Sequence, residues 1–392
     1  MSSRRLNVAV LGTGSWTQNV HLPALQMCNK TRVLAVCGQD RKRTEEVAKR
    51  FRIPNITTNY RELLERPDID VVDISTSSDR HFALAREAIK RRKAILCEKP
   101  LSTSFDEASF LSDLARSRGV KTKVVFGFRY SPAIGKMKEL VDEGYLGRPY
   151  HFNTFIQNTR YMSSDAVLRS IHSNEAEPIT PGSIQEYAPH VIDLALWFMG
   201  DLKKVVGRMG SFVPHTLTEN TSKIVRTNIE DATVWIGEFS NRALATFQSS
   251  FVAIGPTPGL ELRVYGSRGA MIARLPGEDG LTESLEGAQS PDNRFAPIAI
   301  PRQSVLKSLP VGQQKRLTPS ITRFLLLLQD FCAEIANGRE PKCSFQDGAR
   351  AQEIVEAVVR SHLEAKWVSL PLASARRRFW DRRNSTPLAG SE

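Results

Sequence analysis

Lys99 stands between Glu98 and Pro100, directly after an apolar stretch, Ala94 to Cys97, that reads as a buried strand. Open parallel sheets present ligands beyond the C-terminal ends of their strands, so an ammonium there is placed to stabilise charge developing on a substrate oxygen. The proline biases Lys99 towards an extended conformation and permits a cis bond. A second segment, Gly182 to Asp193, sets Glu186, His190 and Asp193 near one face at helical spacing. An imidazole titrates near neutrality, which makes His190 a candidate general acid/base and Glu186 a candidate for orienting it or the lysine. Taken alone, a histidine beside an apolar helix face is more often a packed core residue, and Pro189 marks either a kink or a helix start.

Upstream, residues 6 to 17 run from a buried strand into Gly12-Thr13-Gly14 and then Ser15, Trp16 and Thr17. Gly12 can take a backbone conformation closed to other residues, and Gly14 lets the main chain approach a pyrophosphate that a helix N-terminus then faces. A lone glycine turn is a weak signal, but this one follows a strand and precedes a helix, the context a dinucleotide site demands. Thr17 takes the third small position and tightens helix-to-strand packing. The second strand ends Gly38-Gln39-Asp40-Arg41-Lys42-Arg43. Gly38 leaves room where a carboxylate would repel a 2′-phosphate, and Gln39, Arg41 and Arg43 offer donors for one, which favours NADP over NAD. If the strand ends later, Asp40 serves the ribose hydroxyl of NAD instead.

These residues need a scaffold, and the pattern supplies one. Strands Asn7 to Leu11, Val33 to Cys37, Val71 to Ile74, Ala94 to Cys97 and Lys123 to Phe126 alternate with helices, which predicts a doubly wound parallel sheet of the Rossmann type over residues 1–128. From 129 to 371 a helix, Lys136 to Asp142, precedes five longer alternating strands between Tyr150 and Tyr265, so a second α+β domain with a large, mostly antiparallel open sheet is expected. Residues 275–320 show no sustained period and read as an irregular excursion. Helices Ile321 to Asn337 and Gln346 to Lys366 follow, and 372–392 read as a basic, frayed tail.

The 392 residues suit two domains, and a hydrophobic fraction of 41% with 24% charged residues excludes disorder and collagen-like repeats. Five scattered cysteines fit reduced thiols and no metal site is apparent, which points to a cytoplasmic protein. The net charge of +12 gathers at Arg41 to Arg43, Lys90 to Lys93 and Arg376 to Arg383 without a nucleic-acid motif, so neither nucleic acid nor membrane is an expected partner.

Together the glycine turn with His21-Leu22-Pro23, Glu98-Lys99-Pro100, Gly127-Phe128-Arg129, Gly147-Arg148-Pro149, the Glu186 to Asp193 segment and Tyr265-Gly266-Ser267-Arg268-Gly269 resemble the Gfo/Idh/MocA family of oxidoreductases, over about Leu6 to Leu370. The resemblance implies Lys99 and His190 as the catalytic lysine and histidine, with Glu186 where the family usually carries aspartate. It places Thr76, Ser77 (for a common proline), His81, Glu98, Lys99 and Arg129 beside the cofactor. It implies hydride transfer between a nicotinamide and a secondary alcohol or ketone of a sugar, polyol or sugar-like substrate, and homo-oligomer contacts through the open sheet. It also admits an NAD-dependent glycosidase acting by transient oxidation and elimination, or a non-catalytic dinucleotide-binding regulator. Tyr130, Arg160, Tyr161 and His172 are candidate substrate contacts.

Overall fold

The computed structural model describes residues 4–162, 179–213, 229–254, 259–275, 282–301 and 304–372. Six short strands, β1 (Leu6–Leu11), β2 (Thr31–Cys37), β3 (Asn55–Thr57), β4 (Val71–Ile74), β5 (Ala94–Cys97) and β6 (Thr122–Val124), form an all-parallel sheet in the order β3-β2-β1-β4-β5-β6. The inner strands are apolar on both faces because helices cover both: β4 is buried at every residue. The helices are α1 (Leu22–Met27), α2 (Arg41–Phe51), α3 (Tyr60–Glu65), α4 (Ser78–Lys90) and α5 (Phe105–Ser117). Their starts follow local chemistry. Asp40 accepts from the Arg43 amide at the head of α2 and Ser104 from the Glu107 amide at the head of α5, each cap contributing about 1 kcal/mol. The expected doubly wound parallel sheet holds; β3 and α3 add to it, β3 being three residues too short to carry a detectable alternation and α3 a helix of six.

A 3₁₀ turn, Gly127–Tyr130, and α6 (Pro132–Asp142) lead into the second sheet. Its members are β7 (Pro149–Gln157), β8 (Leu202–Gly210), β9 (Ala232–Phe239), β10 (Leu244–Ser250), β11 (Leu260–Gly266), β12 (Gly269–Leu275), β13 (Ser284–Gln289), β14 (Ala296–Pro297) and β15 (Val368–Ser369). They run β14-β13-β12-β11-β7-β10-β9-β8-β15, antiparallel except where β7 meets β10. Along β9 and β10 the buried residues Trp235, Phe239 and Phe247 alternate with exposed ones, and Trp235 stacks on Phe247 at 4.8 Å and 3°. On the covered face lie α7 (Ser183–Glu186) and α8 (Ala188–Met199), the latter with Pro189 in its first turn and Gly200 at φ +85° after its end. Pro189 therefore marks a helix start and not a kink.

One expectation needs correcting. Residues 275–320 are not wholly irregular: they contribute β13, β14 and the single turns α9 (Ser304–Lys307) and α10 (Val311–Gln314). Ser284 to Gln289 escaped notice because its one exposed face carries few strong strand formers. The late helices return to the first sheet. α11 (Pro319–Ala336) buries Phe324, Leu325, Leu328 and Phe331 with Val8, Leu22 and Leu25. α12 (Phe345–Glu364) starts in a Ser344–Asp347 capping box and packs against α5, α8 and β8. Both helices thus join the sheets whose strand ends face the site. From 373 onward the expected tail lies outside the described residues, as does His172.

Candidate active site

The glycine turn is fixed by its backbone. Gly12 sits at φ +131° with its amide on the Cys37 carbonyl at 2.9 Å, and a Cβ there would overlap the carbonyl oxygen of Ser75. Gly14 has nothing within 4 Å of a built Cβ, so the main chain is open on the side a phosphate would approach. Residues 15–27 are helical, with a π turn at Thr17–His21. Thr17 is fully buried and bonds to the Ser75 carbonyl at 3.2 Å and hydroxyl at 2.9 Å, the packing role expected of it. A turn only glycine can make, an open approach and a helix start fit a dinucleotide's pyrophosphate.

The π turn drives His21 inward, where its Nδ1 meets the Asp73 carboxylate at 2.9 Å and its Nε2 meets Glu98 Oε1 at 3.1 Å. Burial opposes charge on this imidazole, but Asp73 and then Glu98 outweigh it and raise His21 to about 9. Burial would likewise raise Glu98, yet His21, Lys99 and the Trp16 N–H hold its carboxyl at about 2. Glu98 Oε1 also accepts from Trp16 Nε1 at 2.9 Å, and Oε2 from the Lys99 amide at 3.0 Å. One buried carboxylate therefore ties the half-exposed Trp16 indole to the backbone of the candidate lysine. Asp73, in a strand that reads only as apolar, was not singled out by sequence, and His21 entered only as a motif member.

The Lys99–Pro100 bond is cis. Lys99 Nζ donates to the main-chain carbonyl of Glu186 at 2.7 Å. It is the carbonyl of Glu186, and not its carboxylate, that orients the lysine. The carboxylate pairs with Arg160 Nη1 at 3.0 Å. The α7 turn that carries this carbonyl is itself held by buried Glu230, whose carboxylate accepts from the Gly182 and Ile184 amides at 2.9 Å each and from the Ser183 hydroxyl. Glu230 gave no signal in the sequence.

One turn beyond, His190 packs edge-on against Phe128 at 4.8 Å and 82° and lies near Phe126 at 6.4 Å. Its Nδ1 is buried without a hydrogen-bond partner among the described residues. Burial, reinforced by the nearby Lys99 charge and, against the pull of Glu98, by Arg323, pushes His190 well below its ordinary 6.5. The imidazole is therefore neutral near pH 7 and able to accept a proton. Asp193, expected on the same face, instead forms a bidentate pair with Arg129 at 2.6 and 2.7 Å. Arg129 also reaches Asp347 at 3.1 Å, so its charge fastens the 3₁₀ turn to α8 and α12.

The remaining candidates divide. His81 is buried between the Pro100 carbonyl at 2.7 Å and the Thr76 carbonyl at 3.2 Å, tying together the loops after β4 and β5, while Ser77 is exposed at the head of α4. Gly38, Gln39 and Arg43 gather at the other end of the strand tips. A Cβ on Gly38 would overlap Thr44 Oγ1 and come within 2.7 Å of Thr13, so packing alone demands glycine there. The Gln39 amide oxygen accepts from Arg80 at 2.6 and 2.7 Å. Ser15 lies exposed in the first helical turn. Tyr130 turns into a buried network with Lys123 and Asp330, and Tyr161 is buried on Phe251, so neither faces the cleft as a free contact, whereas Arg160 stands beside Glu186 at its rim. No group of three or more His, Cys, Asp or Glu among the described residues is placed to hold a metal, and no helix among them is long and apolar enough to cross a membrane.

Comparison with known proteins agrees with this architecture. Residues 6–126 match the profile described as an oxidoreductase family with an NAD-binding Rossmann fold, and 134–272 match the GFO/IDH/MocA C-terminal domain. The chain is 25% identical to levoglucosan dehydrogenase of Pseudarthrobacter phenanthrenivorans, over 84% of this chain and 87% of the relative. It is 24% identical to myo-inositol 2-dehydrogenase of Thermotoga maritima, over 68% and 75%. In fold it superposes on an NAD-binding oxidoreductase from Klebsiella pneumoniae with a TM-score of 0.81 at 20% identity, covering 94% of this chain and all of the other. A levoglucosan dehydrogenase complex with NADH and levoglucosan gives 0.78 at 23% identity, with the same coverage. With both halves matched, the chain belongs to the GFO/IDH/MocA family of NAD-binding oxidoreductases.

Proposed function

We propose that the protein transfers hydride between a nicotinamide and a secondary carbinol of a sugar, polyol or related compound, with Lys99 and His190 acting on the substrate oxygen. The observation that carries this reading is the anchoring of Lys99 Nζ at 2.7 Å on the carbonyl of Glu186, four residues before His190, in a chain of this oxidoreductase family. When bound, an oxidised nicotinamide supplies the hydride acceptor. Lys99 donates to the substrate oxygen and stabilises the charge that grows there as the C–H bond breaks. His190 Nε2 takes the hydroxyl proton, and in the reverse direction returns it to the reduced carbonyl. Gly12, Gly14 and Ser15 would hold the cofactor's pyrophosphate, and Trp16, held by Glu98, would line the nicotinamide end with Thr76.

NADP is the preferred cofactor in this reading. A cleft of about 530 Å³ beside α2 is lined by Lys42, Arg43 and Arg50 as well as Gln18, Asp40 and Glu46, an excess of positive charge suited to a 2′-phosphate. The substrate class draws support from relatives named as sugar and inositol dehydrogenases. The exposed side of the open sheet, with Val234, Ile236 and Leu244, is a fitting homo-oligomer face. A panel of sugars, inositols, keto-sugars and glycosides assayed with NADP and NAD tests the reading. Turnover with a polyol or keto-sugar and tighter NADPH than NADH binding are expected. Release of free sugar with no net nicotinamide change would replace it with the elimination route, and equal affinity for both cofactors would overturn the NADP preference.

A further inference from the structure

We propose that Arg323, on a late helix beyond both matched segments, is a positioning residue for this reaction, fixing the plane of the His190 imidazole through the ring of Phe128. The inference rests on the reading of His190 as the proton-transfer group. A catalytic imidazole is commonly oriented by a carboxylate or carbonyl on its second nitrogen. Here Nδ1 has no such partner among the described residues, and what touches the ring is aromatic. Phe128 presents to His190 at 4.8 Å and takes the Arg323 guanidinium over its ring, also at 4.8 Å. A guanidinium stacked on a ring is held by the ring's quadrupole and holds the ring in turn.

Arg323 is itself restrained. Its Nη2 donates to Ser320 at 3.2 Å, and its Nη1 lies 4.0 Å from Glu283. Glu283 is fixed at the head of α6, accepting from the Ser131 hydroxyl at 2.8 Å and the Ala133 amide at 3.0 Å. The neighbouring residue, Phe324, packs on His21 with ring centroids 4.2 Å apart, so two successive residues of α11 back the two halves of the site.

The arrangement has an electrostatic consequence. The charged groups bearing on His190 are Lys99 and Glu98 from the end of β5 and Arg323 from α11, while Asp193 on its own helix is occupied by Arg129 and Asp347. Lys99 and Arg323 disfavour the imidazolium and Glu98 favours it. Removing Arg323 therefore raises the proton affinity of His190.

The test uses Arg323→Met, which keeps a long apolar stem, and Arg323→Lys, which keeps the charge but not the planar stack. kcat and KM are measured against pH, and His190 is titrated directly by imidazole NMR, its signal assigned from His190→Gln. Arg323→Met is expected to lower kcat roughly 10- to 100-fold with KM little changed, and to move the His190 midpoint up by roughly half to one pH unit. Arg323→Lys is expected to hold the midpoint near wild type with kcat reduced. Wild-type kcat and midpoint in folded Arg323→Met would overturn the inference. Should that variant not fold, Phe128→Leu is expected to reproduce the kcat loss, and wild-type kcat there would overturn it equally. Full turnover in His190→Gln would instead remove the catalytic reading of His190, a result distinct from an unaffected Arg323 variant beside an inactive His190→Gln.

Discussion

Replacing His21 with glutamine exposes how much of the first domain's stability rests on one buried charge. His21 lies between Asp73 and Glu98 with no exposed surface. Its rise from 6.5 to about 9 corresponds, at about 1.4 kcal/mol per pH unit, to roughly 3 kcal/mol of folding stability. Because the folded value lies above the unfolded one, that contribution is complete below 6.5 and disappears as the pH climbs through about 9. The low value of Glu98 reports the same contact from its acid side and is not added to it. Urea unfolding of wild type and His21→Gln at about pH 6 and about pH 9.5 isolates the effect, since lysines and cysteines titrating in both proteins cancel in the comparison. The wild-type advantage should shrink by roughly 3 kcal/mol between the two conditions. An advantage that stays constant across that range would refute a charged His21.

Gly12→Ala should cost roughly 2 to 4 kcal/mol and abolish binding of the nicotinamide dinucleotide, because a Cβ at φ +131° overlaps Ser75; calorimetric titration with an unchanged affinity would contradict this. Arg129→Gln strands Asp193 in the interior and should lower stability by about 3 to 5 kcal/mol; an unchanged Tm would show the pair to be dispensable. The proposed homo-oligomer predicts that the wild type sediments above monomer mass and that Ile236→Lys with Val234→Lys, which charges the open sheet face, reduces it to monomer; a monomeric wild type, or a wild-type mass for the variant, would exclude that face.

Most of the first sheet was legible because its strands are short, largely apolar runs, several closed by glycine, as at Gly12 and Gly38, and followed by a helix at the expected interval. The long strands of the second sheet announced themselves through alternation, as in Thr233 to Phe239. What escaped reading were groups whose role depends on partners far along the chain. Asp73 sits in an apolar strand and meets His21, 52 residues away. Glu230 caps a turn 46 to 48 residues before it. Arg323 adjoins the apolar run Phe324 to Leu328, and a charge amid buried helical residues was the one hint it offered. The face shared by Glu186, His190 and Asp193 was predicted from spacing, yet each takes a different partner: a lysine on a carbonyl, an aromatic wall and a buried arginine. Gly38 shows the reverse case, a glycine read as room for a phosphate that packing requires in any event.

The central claim is that Lys99 and His190 act on one substrate oxygen, and a double-mutant cycle on single-turnover hydride transfer tests it most directly. With a substrate found in the panel, Lys99→Met and His190→Gln should each slow the step by roughly 10² to 10⁴, and the double variant should lose no more than about tenfold beyond the slower single one. Losses that multiply in full, or a wild-type rate in either single variant, would contradict it.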